Sequence, residues 1–310
     1  MQLIRGLHNL RTGHRECVAT IGNFDGVHRG HQAVFDRLLS EGLEMGVPAT
    51  VITFEPQPLE FFAPARAPAR LTRFREKVLA IRDAGIQRLL LLEFGQKLAA
   101  MNAEGFVRHI LVDGLGVRHL YIGDDFRFGK GREGDVDLLR RVGAEAGFSV
   151  DHLPTVALDG ARISSTRIRE ALEQGDLATA AACLGRNYRI GGRVSHGDKR
   201  GRNLGFPTAN INLHRLISPL SGVFAVRVFG LEGEVLPGVA NIGVRPTVAG
   251  DGRYLLEVHL FDFAREIYGR HLEVEFVQRI REVRRFDSFE QLRRQIDHDA
   301  YEARHILGLA

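Results

Sequence analysis

The sequence predicts two successive folds: an α/β unit on a Rossmann-like parallel sheet, then a small antiparallel β-barrel with a terminal helix. Three observations predict it. Up to about residue 184, short apolar runs alternate with helical patterns of about 10–15 residues, the signature of a parallel sheet covered on both faces. From about Tyr188 onward the runs alternate with period two and are broken by Gly and Pro, as in a small barrel. The 310 residues are enough for two domains, at about 100–200 residues each. The boundary is placed between 184 and 185, giving domains 1–184 and 185–310.

In order along the first domain, CVATIGNF reads as a strand, Gly30–Met45 as a helix and ATVITF as a strand. TRFREKVLAIRDAG is a helix, QRLLLLEF a strand, and AEGFVRHILVDG a helix capped by Asn102. RHLYIG, DVDLLRRVGAEAG and FSVDHL continue as strand, helix and strand, and STRIREALEQG and DLATAAACLG as helices. In the second domain, GVFAVRVF places Phe224, Val226 and Val228 on one face. LLEVHLF opposes Leu256, Val258 and Leu260 to Glu257 and His259. HLEVEFV opposes Leu272, Val274 and Phe276 to Glu273 and Glu275, which read as solvated. The terminal helix opens on a Ser288/Gln291 capping box, with Leu292, Ile296, Ala303 and Ile306 near one stripe.

Charge and cysteine content narrow the class. The formal net charge is +4 and is spread along the chain. That suits phosphate-bearing small molecules and supplies no basic tail for nucleic acid. No helix-turn-helix, RNA-recognition or zinc pattern occurs, and there is no Trp. Cys17 and Cys183 form no metal spacing and read as buried free thiols. No apolar run reaches the about 18 residues of a membrane span, and MQLIRGLHNLRTGHRE has no leader-like core. The expectation is a cytoplasmic protein with no nucleic-acid and no membrane partner; the sequence sets no oligomeric state.

The first chemical signal is GNFDGVHRGHQ at 22–32, between a strand and a helix. Gly22, Phe24, Asp25 and Gly26 form the candidate phosphate loop, where a helix N-terminus favours an anion. His28 and His31, three residues apart, share one side of the helix start. There two imidazoles can donate to phosphate oxygens whose charge grows in a transition state. The second signal is ISSTRIRE at 163–170. Ser164, Ser165 and Thr166 precede a helix carrying Arg167 and Arg169, a candidate phosphate clamp; helix phase leaves open which arginine meets phosphate. GKGREG at 129–134 matches a dinucleotide fingerprint only literally, because it begins too late after its strand.

The third signal is GRVSHGDKRGRNLGFPTAN at 192–210. Gly192, Gly197, Gly201 and Gly205 allow close backbone approach, His196, Lys199, Arg200 and Arg202 add polar and cationic groups, and Thr208 and Asn210 offer neutral oxygens of the kind Mg²⁺ accepts beside phosphates. The chain has no Walker-type G-x-x-x-x-G-K-[ST] loop, so a kinase here holds ATP differently from P-loop enzymes.

The H-x-G-H and I-S-S-T-x-I-R pair resembles the nucleotidyltransferase superfamily. Together with TFEPQP (53–58) and GDDFRFGKGREG (123–134), it resembles the FMN adenylyltransferase module of bacterial bifunctional riboflavin kinase/FAD synthetases. GRNLGFPTAN, with SPLSGVFAV (218–226), NIGVRPT (241–247) and LEVHLFDF (256–263) in the same order, resembles riboflavin kinase. The resemblance covers nearly the whole chain. It implies phosphorylation of riboflavin to FMN and adenylylation of FMN to FAD, with ATP and flavins as substrates and Mg²⁺ as cofactor. It implies His28 and His31 on the ATP phosphates, with Ser165, Thr166 and Arg169 at the far end of the triphosphate. It implies Phe54, Pro56, Asp125 and Phe128 near flavin, Thr208 and Asn210 on the metal, and Glu257 as general base on the ribityl 5′-hydroxyl. H-x-G-H alone would also suit other adenylyl- or cytidylyltransferases or a tRNA synthetase; the kinase-like second half and the lack of a KMSKS-like loop argue against these.

Overall fold

The computed structural model describes residues 1–196, 206–213, 217–231, 233–245 and 253–309. They form two compact units, Met1–Pro68 with Thr72–Ser164, and Ala69–Leu71 with Ser165–Ala310.

The first unit runs β1 (Gln2–Arg5), β2 (Cys17–Ile21), α1 (Arg29–Met45), β3 (Ala49–Glu55), α2 (Pro58–Phe62), α3 (Phe74–Asp83), β4 (Arg88–Glu93) and α4 (Gln96–Ala99). It continues with α5 (Ala103–Phe106, prolonged as a π-helix over Val107–Gly114), β5 (Val117–Ile122), α6 (Val136–Ala146), β6 (Ser149–His152) and the short β7 (Ala157–Leu158) and β8 (Ala161–Arg162). A parallel sheet has the order β1-β4-β3-β2-β5-β6. Strand β2 is buried throughout because both its faces are covered. Cys17, Ala19 and Ile21 pack with α5 and α6 through Phe106, Ile110, Leu139 and Val142. Val18 packs with α1 and α3 through Phe35, Leu38 and Ile81. The Asn102 side chain accepts from Gly105 N at 2.7 Å, capping α5. Strands β1, β7 and β8 carry no clear alternation, and the sequence reading passed over them.

The chain order reverses at β2. From β2 the path goes to β3 and β4 on one side and to β5 and β6 on the other. The crevice outside the carboxyl end of such a strand is where α/β sheets take ligands.

The second unit begins with α7 (Ser165–Gln174) and α8 (Leu177–Leu184). Then come β9 (Arg189–Ser195), β10 (Ala209–Asn212), β11 (Gly222–Leu231), β12 (Glu234–Arg245), β13 (Arg253–Leu260), β14 (His271–Arg281) and α9 (Phe289–Ile306). The strands close a barrel in the order β10-β13-β12-β11-β14-β9. Phe224, Val226, Ala240, Ile242, Leu256, Val258, Leu272, Val274 and Phe276 are buried, as the alternation requires. Helix α9 covers part of the outside, packing Ala300 and Ala303 on Val223, Ala225, Val239 and Phe261. Ser288 Oγ accepts from Gln291 N at 3.2 Å, and the Gln291 carboxamide accepts from Asp287 N rather than from Ser288. Arg169 Nε donates to Ala69 O at 2.6 Å and Tyr188 Oη to Leu71 O at 2.8 Å, which ties residues 69–71 into this unit.

Two carboxylates correct the reading of the alternation. Glu273 is half-exposed, but Glu275 is only 5 % exposed. Register places it between Arg227 on β11 and Arg189 on β9. Arg189 donates to it at 2.9 and 2.7 Å and Asn187 at 3.2 Å. The second is Asp299, buried within the apolar stripe of α9 and gripped by Arg281 at 2.9, 3.0 and 2.7 Å. Period-two patterning assigns a side chain to a face; it does not tell whether cations on neighbouring strands cover that face.

Burial acts to raise the Glu275 carboxyl, and the bonds from Arg189 and Asn187 with the Arg189 and Arg227 charges outweigh it, leaving it below its ordinary value of 4.5. A depressed carboxyl stabilises the fold above the unfolded value and loses that contribution as pH falls through the folded one. Glu275→Ala should therefore destabilise the barrel by about 1–3 kcal/mol at pH 7. The difference in melting temperature from wild type should shrink as pH is lowered below about 4.5.

Candidate active sites

In the first unit the site grows from the end of β2. Residues 22–28 leave the strand in a tight loop with Phe24 at φ 48°, Gly26 at φ 85° and Val27 at φ 43°. Left-handed conformations at Phe and Val are costly and persist only where the surroundings enforce them. Asp25, 2 % exposed, accepts from Thr72 N at 2.9 Å and from Thr72 Oγ1 at 3.0 Å. Gly26 N donates to Thr72 Oγ1 at 3.0 Å. Asp25 and the Gly26 amide are thus spent on holding the loop. The buried Phe24 ring packs on His31 and Phe35. Gly22 N–H continues the sheet, donating to Ile52 O.

His28 is the N-cap of α1, and its Nδ1 accepts from His31 N at 3.3 Å. An Nδ1 that accepts there leaves the ring proton of a neutral imidazole to Nε2. The two imidazoles stack, centroids 3.6 Å apart. A Cβ on Gly30 would come within 3.1 Å of the His28 ring, so the glycine of H-x-G-H makes room for that imidazole at the helix start. His31 Nδ1 is buried without a hydrogen-bond partner among the described residues. Burial first, then His28 and Lys77, push the His31 ring well below its ordinary 6.5.

The carboxyl edge of the sheet also carries aromatics. Phe54 is buried and meets Phe94 edge-on at 5.7 Å. Phe61, Phe62 and Phe94 contact one another, and Phe62 is 64 % exposed. An exposed ring on a buried aromatic base is a ready platform for a planar ligand. Sequence reasoning named Phe54 and Pro56 and missed Phe61, Phe62 and Phe94; the FF doublet after TFEPQP was the signal. After β5, Asp125 is exposed and forms a fork with Arg162 at 3.2 and 3.0 Å, and that guanidinium holds its carboxyl below the usual range. Phe128 is 7 % exposed, stacked on Phe126 and packed on Phe106. Its neighbour Phe126 is the ring that retains exposure.

Of the ISSTRIRE residues, Ile163 and Ser164 close the first unit, while Ser165, Thr166, Arg167 and Arg169 lie on α7 in the second.

In the second unit three strands bring polar side chains into a row on the outer face of the barrel. Asn210 on β10 is directly opposite Glu257 on β13, which is opposite Asn241 on β12. Asn241 Nδ2 donates to Glu257 Oε2 at 3.4 Å, and Asn210 Nδ2 donates to Thr208 O at 3.4 Å. Ser195 continues the row opposite Asn210, donating to its carbonyl at 3.1 Å. His259 Nδ1 is bonded to Pro207 O at 2.9 Å, which holds the FPT segment against β13. Thr208 and Asn210 oxygens beside a carboxylate suit Mg²⁺, an ion that completes its shell with water and phosphate. Gly192 pairs with Leu272 inside β9, and the exposed His196 ring lies 4.0 Å from that of Tyr268. Gly197, Gly201, Arg202 and Gly205, with Lys199 and Arg200, lie outside the described residues.

A phosphate-favouring loop at a strand crossover and an oxygen-rich row on a closed barrel define a protein with two nucleotide-handling modules. Comparison with known proteins agrees: the FAD synthetase family model matches residues 10–167 and the riboflavin kinase family model residues 184–307. The chain belongs to the bifunctional riboflavin kinase/FMN adenylyltransferase family. It is 56 % identical over 304 residues to the protein of that description from Pseudomonas fluorescens, covering 98 % of this chain and 97 % of the relative. It is 51 % identical over 310 residues to that of Escherichia coli strain K12, covering 100 % and 99 %. A solved structure described as a macrolide-efflux protein from Streptococcus pneumoniae superposes with TM-score 0.81 at 29 % identity, covering 96 % of this chain and 97 % of that one. Among the described residues no helix is long and apolar enough to cross a membrane.

His31 should titrate below 6.5 in the ligand-free protein, measured by its ring carbon-bound proton in NMR. A histidine held neutral stabilises the fold above its unfolded value, so this contribution is lost as pH falls below about 6.5.

Proposed function

We propose that this chain makes FAD in two steps, phosphorylating riboflavin to FMN with one ATP and adenylylating FMN with a second, with release of pyrophosphate. The observation that carries the reading is the presence on one chain of both family matches, each with its own set of polar residues.

In the kinase step Glu257 takes the proton of the ribityl 5′-hydroxyl, that oxygen attacks the γ-phosphorus of ATP, and the bond to the β,γ-bridging oxygen breaks so that ADP leaves. The cross-strand row supports this role: the carboxylate is oriented by Asn241 and stands beside Asn210. Mg²⁺, held by Thr208, Asn210 and the phosphates, supplies charge neutralisation when bound. In the adenylyl step a phosphate oxygen of FMN attacks the α-phosphorus of ATP and pyrophosphate leaves. His28 Nε2–H and the His31 ring donate to phosphate oxygens, and the N-terminus of α1 adds its dipole. Ser165, Thr166 and Arg169 hold the far end of the triphosphate, and the aromatic edge around Phe54 and Phe62 receives the flavin. The division between catalytic modules is placed between residues 184 and 185, and the protein is placed in the cytoplasm, where the buried free thiols of Cys17 and Cys183 stay reduced.

The test separates the two steps by chromatography of flavins. Glu257→Gln should slow FMN formation by about 10²–10⁴-fold and leave FAD formation from added FMN unchanged. His28→Ala should slow FAD formation by about 10²–10³-fold and leave FMN formation unchanged. If either variant slowed both steps equally, the assignment of one step to each catalytic module would fail.

A further inference from the structure

Lys77 is 0 % exposed, on the buried face of α3. A lysine is almost never fully buried unless its ammonium is occupied, and apolar residues of that volume would pack α3 at lower cost. Its Nζ donates to Asn23 O at 3.0 Å and to Thr53 Oγ1 at 3.3 Å, and Thr53 Oγ1 lies 3.4 Å from Asn23 O as a donor. Asn23 directly precedes the first of the two left-handed residues of the phosphate loop, Phe24 and Val27. Five residues before Lys77, Thr72 grips Asp25 and Gly26. Thr72, just before α3, and Lys77 within it therefore fasten the loop at successive positions.

We propose that Lys77 is a positioning residue for adenylyl transfer: its buried ammonium fixes the phosphate loop through the Asn23 carbonyl and thereby sets the place of His28 and His31. The inference rests on the adenylylation reading. Its geometry is that of a bracket: the ammonium fixes the Asn23 carbonyl just before Phe24, and Thr72 fixes Asp25 and Gly26 just after it. The ammonium also acts on the His31 ring. The titratable groups that bear on His31 are His28 from the loop and Lys77 from α3, and both oppose a charged His31. Lys77 thus adds to burial and to His28 in holding the His31 imidazole neutral.

Two substitutions separate the bracket from the charge. Lys77→Gln retains an N–H donor for Asn23 O without the charge; Lys77→Met removes both. FMN-to-FAD conversion is measured as kcat and KM for ATP against pH, with thermal unfolding and riboflavin phosphorylation followed on the same samples. Lys77→Met should lower kcat by about 10–100-fold, the scale of a small misplacement of reacting groups, with riboflavin phosphorylation unchanged. Lys77→Gln should recover part of that loss. In both variants the acid limb of kcat/KM should move to higher pH by about one unit, because a neighbouring positive charge has gone. Activity that falls only in parallel with melting temperature, with no movement of the acid limb in either variant, overturns the proposal. So does an unchanged kcat in Lys77→Gln and Lys77→Met. If Lys77→Met does not fold, Lys77→Gln decides by the acid limb alone. A wild-type protein that makes no FAD refutes the underlying reading instead, a result visible before any variant is compared.

Discussion

The reversal of chain order at β2 is the constraint on which the first unit depends. Neighbouring strands lead away on either side, so the loop after β2 opens into a crevice that no crossover fills. A loop in that place must present backbone N–H groups and a helix start to an anion, and it can do so only in a conformation that Phe24 and Val27 resist. Thr72, Asp25 and Lys77 supply the internal hydrogen bonds that enforce it. Part of the GNFDG string is thus concerned with holding a backbone.

The barrel solves the same problem by register. Alternation sends Leu256 and Val258 inward and leaves Glu257 outward, and hydrogen-bonded pairing then sets Asn210 and Asn241 on either side of it. Residues 47 and 16 positions apart, Asn210 with Glu257 and Asn241 with Glu257, become neighbours without any loop having to fold over them. Helix α9 covers the adjoining apolar surface at Val223 and Val239.

Much of this was legible in the sequence. Period-two runs gave the inward faces of β11, β13 and β14, the Gly30–Met45 pattern gave α1, and Asn102 gave a helix cap. What escaped shares one physical cause: contacts between residues distant in the chain. Glu275 looks like Glu273 until Arg189 and Arg227 are seen on the flanking strands. Nothing in the sequence around Lys77 points to its bonds with Asn23 O and Thr53 Oγ1. Asp25 reads as a ligand for a nucleotide and is found bonded to Thr72. Phe62 was hidden because an exposed ring carries no periodic signal.

The central claim is that one chain cuts ATP at two different phosphorus atoms. The most direct measurement follows radiolabel from ATP into flavins separated after incubation of the purified protein with riboflavin, ATP and Mg²⁺. Label at the γ-position should enter FMN and then the flavin-side phosphate of FAD, and label at the α-position should enter FAD alone. Failure of α-label to reach any flavin while γ-label does, or failure of γ-label to reach FMN, would contradict the account.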